Sequence, residues 1–144
     1  MTTTDVLELA YPDRFDDCLA IRQEVFVGEQ GVTEDEEFDG LDPSCVHFLA
    51  VVEGRAVGAA RLRQSSPSTA KAERVAVLAS HRGRGVGQSL MRALAESARQ
   101  RGVRELILGA QLTAIPFYES LGYRAEGDEF LDARIRHRMM RQQL

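Results

Sequence analysis

Apolar positions recur with a period of two in some stretches of the chain and near 3.6 in others, and the alternation orders the elements. Val6, Leu7 and Leu9 within Thr2–Ala10 predict a first strand. Tyr11-Pro12-Asp13 reads as a turn with proline ahead of a helix. From Asp13 to Val27 the residues Phe15, Cys18, Leu19, Ile21, Val25 and Phe26 fall at helical spacing, with an interruption expected near Gly28. Val46–Glu53 is apolar on both faces, as a buried strand requires, and Glu53-Gly54-Arg55 turns it into a partner strand, Ala56–Arg63. Polar Gln64–Ala70 predicts a loop. Lys71–Leu78 predicts another strand, and the period of two puts Lys71, Glu73, Val75 and Val77 on one face.

Val86, Leu90, Met91, Leu94, Ala95 and Ala98 mark a helix over Gly85–Gly102, with Gly102 as its stop. Glu105–Ala110 predicts a buried strand, and Thr113–Leu121 a short helix ended by Gly122. Tyr123–Ala125 and Phe130–Met140 predict two closing strands. In the second, Ala133, Ile135, His137 and Met139 face one way and Arg134, Arg136 and Arg138 the other. The order β-α-β-β-β-α-β-α-β-β predicts one α/β (α+β) domain over 1–144, a mixed sheet with helices on both faces.

Charge narrows the function classes. The chain has 144 residues, 18 basic and 22 acidic, for a net charge of −4. An acidic balance argues against a nucleic-acid binder that works by neutralising phosphates. The charge is uneven: Glu29–Asp42 carries seven acidic residues and no Lys or Arg, so the remainder is net +3. A run of this kind predicts a solvated surface loop, although Val27, Val32, Phe38 and Leu41 suggest that it packs onto the body. The two cysteines, Cys18 and Cys45, have no CxxC or Cys/His ligand spacing, so no metal site is expected. Neither carries a His/Asn constellation for nucleophilic catalysis. No apolar run approaches a membrane span, and Met1–Leu9 lacks the features of a signal peptide, so a cytoplasmic protein is expected.

Candidate chemistry concentrates at Arg82-Gly83-Arg84-Gly85-Val86-Gly87, between a strand and a helix. Glycines allow close approach of backbone to ligand, and the free N–H groups at a helix start make an anion site. Arg82 and Arg84 add cationic donors. A diphosphate-containing ligand fits. Gln88 after Gly87 excludes a P-loop, and glycines spaced by two after a fourth strand match a Rossmann fingerprint poorly.

Arg82-x-x-Gly85-x-Gly87 resembles the acyl-CoA pyrophosphate motif of the GNAT superfamily of N-acyltransferases. Arg74-Val75-Ala76-Val77-Leu78 is similar to that family's central strand. Ala114-x-x-Phe117-Tyr118-Glu119-Ser120-Leu121-Gly122-Tyr123 is similar to its second signature. Ile21-Arg22-Gln23-Glu24-Val25-Phe26-Val27-Gly28-Glu29-Gln30-Gly31-Val32 resembles the ElaA-like or YjcF-like branch. The resemblance implies a GNAT fold, with a mostly antiparallel sheet of about six to seven strands. It also implies transfer of an acetyl group from acetyl-CoA to a small-molecule or peptide amine, by direct attack in a ternary complex. A non-catalytic acyl-CoA-binding module on the same fold stays open. So does a plain nucleotide-binding protein. A homodimer is compatible with the family.

By the same resemblance, amides of Gly83, Arg84, Gly85 and Gly87, with Arg82 and Val86 beside them, would hold pyrophosphate. Val75, Ala76 and Val77 would carry pantetheine along a strand that splays from Glu105–Ala110, the Val77 amide facing the thioester carbonyl. Gln111 stands where the family carries an asparagine, and Phe117 and Tyr118 flank the arm. Tyr118 is the candidate acid for the departing thiolate. Glu73 is the first candidate base and His47 the second, with His81 and His137 less favoured. Glu29 or Asp39 could orient a cationic amine. If the acidic run lines the acceptor side, the charge division suits anionic acyl-CoA meeting a cationic amine.

Overall fold

The computed structural model describes residues 3–144. Seven strands form one sheet in the order β1-β2-β3-β4-β5-β7-β6. They are β1 (Thr4–Ala10), β2 (Val46–Val52), β3 (Arg55–Gln64), β4 (Thr69–Val77), β5 (Glu105–Gln111), β6 (Arg124–Asp132) and β7 (Ile135–Gln143). All neighbours pair antiparallel except β4 and β5, which run parallel. This is the expected mixed, mostly antiparallel sheet. The helices are α1 (Phe15–Arg22), α2 (Glu34–Glu37), α3 (Val86–Gln100) and α4 (Ile115–Ser120).

Two apolar clusters, one on each face of the sheet, hold the fold. On one face Leu90, Met91 and Leu94 of α3 pack on Phe48, Leu62, Leu106, Leu108 and Met140. All six apolar positions expected of this helix are buried. Burying a Leu of this kind stabilises by about 1.5–3 kcal/mol. Gly58 of β3 allows the close approach, since a Cβ there would lie 2.9 Å from Leu90 and 3.1 Å from Val86. On the other face Cys18, Ile21 and Val25 pack on Leu49, Ala59, Ala76 and Leu78.

Three segments depart from the sequence expectation. The first helix does not break at Gly28; it widens into π-helix over Gln23–Glu29, so that Gly28 is carried inside it. The acidic run is solvated only in part: Glu29, Glu34, Asp35, Glu36 and Asp39 are exposed, as are Phe38 and Leu41, which were expected to pack onto the body. Thr33 and Glu36 form a reciprocal capping box around α2, while Glu37 and Asp42 are buried against arginines. Phe130–Met140 is not one strand. It folds back at Ala133 and Arg134, both at positive φ (49° and 67°), to make the β6–β7 hairpin. No glycine or asparagine marks that turn, so its signal was missing from the sequence.

Candidate active site

The parallel pairing of β4 with β5 covers only Thr69–Lys71 against Glu105–Ile107. Beyond that point the strands diverge, as the family resemblance implied, and a cavity of about 380 Å³ opens between them. Val75, Ala76, Val77, Arg82, Gln111, Tyr118 and Glu73 all line it. The β6–β7 hairpin supplies the far wall through Phe130, Asp132, Ile135 and His137. Arg134 at the hairpin tip donates to Glu36 at 3.0 Å and to the Gly31 carbonyl at 3.1 Å, tying that wall to the acidic run.

At one end of the cavity the chain leaves β4 and enters α3 through the glycine turn. Gly83 and Gly85 sit at φ 74° and 84°, conformations that a side chain would strain. Gly85 is the N-cap of α3, and among the described residues no side chain caps that end, which leaves the first N–H groups of the helix open to a ligand. Val86 points inward and is buried. A Cβ at Gly87 would lie 3.1 Å from the Phe117 ring, so Gly87 lets α4 close on the helix start. Arg84 is exposed and has no acidic partner among the described residues. Arg82 is committed: its Nε donates to the Val77 carbonyl at 2.9 Å and its guanidinium pairs with Glu29 at 2.9 Å.

Tyr118 is 8% exposed and packs edge-on against Phe117 and Tyr123, with ring centroids 5.0 and 5.8 Å away. Burial pushes its phenol up to about 12. Its hydroxyl has no protein partner among the described residues. Gln111 at the end of β5 donates to Gln30 at 2.8 Å, closing the gap toward the π-helical segment.

Glu73 lines the cavity, but not on the expected face. Arg61 pairs with Glu73 and Ala59 with Ala76, so β4 carries one more residue than β3 between these positions. The extra residue is Arg74, at φ 53°. This bulge reverses the alternation. Val75 and Val77 pack toward the α3 cluster, whereas Glu73 lies with Arg61 and Ala76 on the α1 face. There its carboxylate accepts from Arg63 at 2.7 Å and lies 3.5 Å from Arg61 and 4.0 Å from Lys71.

His47 and Glu29 do not line the cavity. His47 is buried between Tyr11 and Phe15, and its Nε2 donates to the Asp42 carbonyl at 2.9 Å. Burial lowers its pKa, outweighing the Asp42 contact. Its role is packing. Glu29 is held by Arg82, and Asp39 by Arg61 and Arg74, so neither is free to orient an amine. Glu36 and Glu37 do reach the cavity, but both are already paired.

The sequence profile described as an acetyltransferase (GNAT) domain matches residues 21–144. The chain belongs to the GNAT acetyltransferases. YjcF of Bacillus subtilis, named as an uncharacterized N-acetyltransferase, is 42% identical over 129 residues, covering 89% of this chain and 91% of its own. The crystal structure of an acyl-CoA N-acyltransferase from Pseudomonas aeruginosa is 29% identical with a TM-score of 0.83, over 97% of this chain and 99% of that one. Escherichia coli ElaA is 26% identical with a TM-score of 0.83, over 99% of both chains. These relatives place this GNAT protein in the ElaA/YjcF-like branch.

Sequence reasoning missed two features of this GNAT site. One is the ion network behind β4. Arg22 and Arg61, both almost fully buried, hold Glu37, Asp39 and Asp42, with Arg74 on Glu37 at 2.8 Å. Arginines inside apolar runs at Ile21-Arg22 and Ala60-Arg61-Leu62 were the available signal. The other is the place of His137, which ranks below Glu73 and His47 as a candidate base in the sequence and lines the cavity where His47 does not. Among the described residues no group of three or more His, Cys, Asp or Glu is arranged to hold a metal ion.

Proposed function

We propose that this GNAT protein is an N-acetyltransferase that moves an acetyl group from acetyl-CoA to a primary amine, both bound together. The observation that carries this reading is the opening of β4 from β5 beyond Lys71 and Ile107. It leaves one main-chain edge of β4 without a strand partner, beside the uncapped start of α3. The free edge suits the amide groups of a pantetheine arm along Val75, Ala76 and Val77. The helix start, with Gly83, Arg84, Gly85 and Gly87, suits a pyrophosphate.

Acetyl-CoA supplies the activated acyl group. The Val77 amide is the donor assigned to its carbonyl. Tyr118 supplies the proton that the leaving sulfur needs. Its ring is fixed by Phe117 and Tyr123, and burial keeps the phenol protonated at neutral pH. The acceptor enters from the hairpin side, where Phe26, Val32 and Ile135 give an apolar surface. Membership of the acetyltransferase family and the likeness to an acyl-CoA N-acyltransferase support the reading.

Calorimetric titration with acetyl-CoA tests it, followed by a thiol assay for CoA released in the presence of a panel of primary amines. Micromolar binding and amine-dependent release are expected. Absence of binding below millimolar concentration would overturn the proposal. Binding without release across a broad panel would reduce it to an acyl-CoA-binding module.

A further inference from the structure

The inference rests on the transferase reading above. A primary amine is an ammonium at neutral pH and cannot attack until a proton leaves it. The acceptor side of the cavity therefore needs a side chain with a free lone pair.

Three of the four carboxylates there already face cations. Glu37 accepts from Arg22 and Arg74, Glu36 from Arg134 and the Thr33 amide, and Glu73 from Arg63. Asp132 also lines the cavity, but it is exposed at the hairpin tip, where water competes for its lone pairs. His137 differs from all of these. It is 8% exposed, on β7 opposite Gln111 of β5 and Phe130 of β6, and it lines the cavity. Its Nδ1 lies 2.7 Å from the Ile135 carbonyl oxygen. A carbonyl only accepts, so Nδ1 carries the hydrogen and the neutral ring keeps its lone pair on Nε2. Nε2 has no protein partner among the described residues. The ring stacks on Phe130 at 5.6 Å and 21°, which fixes its plane.

We propose that Nε2 of His137 takes the proton from the acceptor ammonium. The freed nitrogen pair forms the C–N bond as the C–S bond breaks. The sulfur takes the proton that Tyr118 held, and Tyr118 recovers one from the nitrogen of the new amide. One acyl group has then moved, and the proton on His137 passes to solvent.

The test compares acceptors that need a base with acceptors that do not. n-Butylamine and 2-phenylethylamine are assayed for CoA release, each active amine beside its β,β-difluorinated analogue, a much weaker base. His137→Gln should lower turnover of the parent amine about 10²-fold or more, lower that of the fluorinated analogue far less, and leave acetyl-CoA affinity unchanged by calorimetry. Imidazole in the buffer should restore part of the activity of His137→Ala. Independently of turnover, long-range ¹H–¹⁵N spectra of the free protein should show the Nδ1-protonated tautomer, with Nε2 shifting when amine is added. Equal losses for parent and fluorinated amines, or an Nε2-protonated ring, would overturn the role of His137 while leaving the transferase reading intact. Failure of the wild-type protein to release CoA with any amine would instead overturn the transferase reading, and this role with it.

Discussion

Tyr118 is held by its ring and free at its hydroxyl. Aromatic contacts on two sides fix it, and the residue lines the cavity. Removing only that oxygen separates packing from proton delivery. Tyr118→Phe should cut kcat by about 10²-fold while changing acetyl-CoA affinity little, measured by stopped thiol assays and calorimetry on the same protein. An unchanged kcat would leave Tyr118 a packing residue. Arg74 shows how a single residue redirects a strand. An arginine at φ 53° costs of order 1 kcal/mol, offset here by its bonds to the Glu37 carboxylate and carbonyl. Arg74→Ala removes those bonds and keeps the cost. A fall in Tm of roughly 3–6 °C is expected by calorimetric scanning.

At the level of elements, legibility followed periodicity. Helix α3 was readable because Val86, Leu90, Met91, Leu94, Ala95 and Ala98 all answer to one apolar face. The glycine turn was readable because Gly83 and Gly85 need positive φ and Gly87 needs space beside Phe117. Gly85→Val should weaken acetyl-CoA binding at least tenfold by titration calorimetry, with the fold retained by circular dichroism. Unaltered affinity would take the turn out of the binding site. The β6–β7 turn was not readable, because Ala133 and Arg134 carry no local preference for positive φ and are held there by Glu36 across the cavity. The position of Glu73 was not readable either. A period of two runs through the bulge in the sequence, and only pairing with β3 reveals the extra residue. The charges of Glu37, Asp39 and Asp42 looked solvated because their partners lie far away in sequence, at Arg22, Arg61 and Arg74.

For the whole molecule, the uneven charge becomes a clamp. The acidic run folds over the α1 face and is held by the arginines of the body. Taking away one partner of such a buried network leaves unpaired charge inside. Arg61→Met should destabilise by about 3 kcal/mol and lower Tm by roughly 6–12 °C in a chain of this size. The same clamp sets the acid response. Burial opposes ionisation of Asp39, but the Arg61 hydrogen bond, the Leu41 amide and the Arg61 and Arg74 charges outweigh it and hold the carboxyl below its usual range. Asp42 is lowered against burial in the same way by Arg22 and Arg61. A carboxyl lowered on folding contributes stability that is complete above pH 4 or so and fades as pH drops below that. Asp39→Asn should therefore be less stable than wild type at pH 7, with the gap narrowing as pH is lowered from about 4 to about 2 in chemical denaturation, whereas parallel curves would remove Asp39 from the acid response.

The bulge at Arg74 also works as a change of phase. Upstream of it Glu73 lies on the α1 face; downstream Val75 and Val77 pack toward the α3 cluster. One strand thereby presents Glu73 on the wall that meets α1 and Val75 and Val77 on the wall that meets α3, with the crossing point between them. Any insertion or deletion of one residue in this stretch would exchange the two walls while leaving the composition of the strand almost the same. Drift in this segment is therefore open to substitution but closed to changes of length.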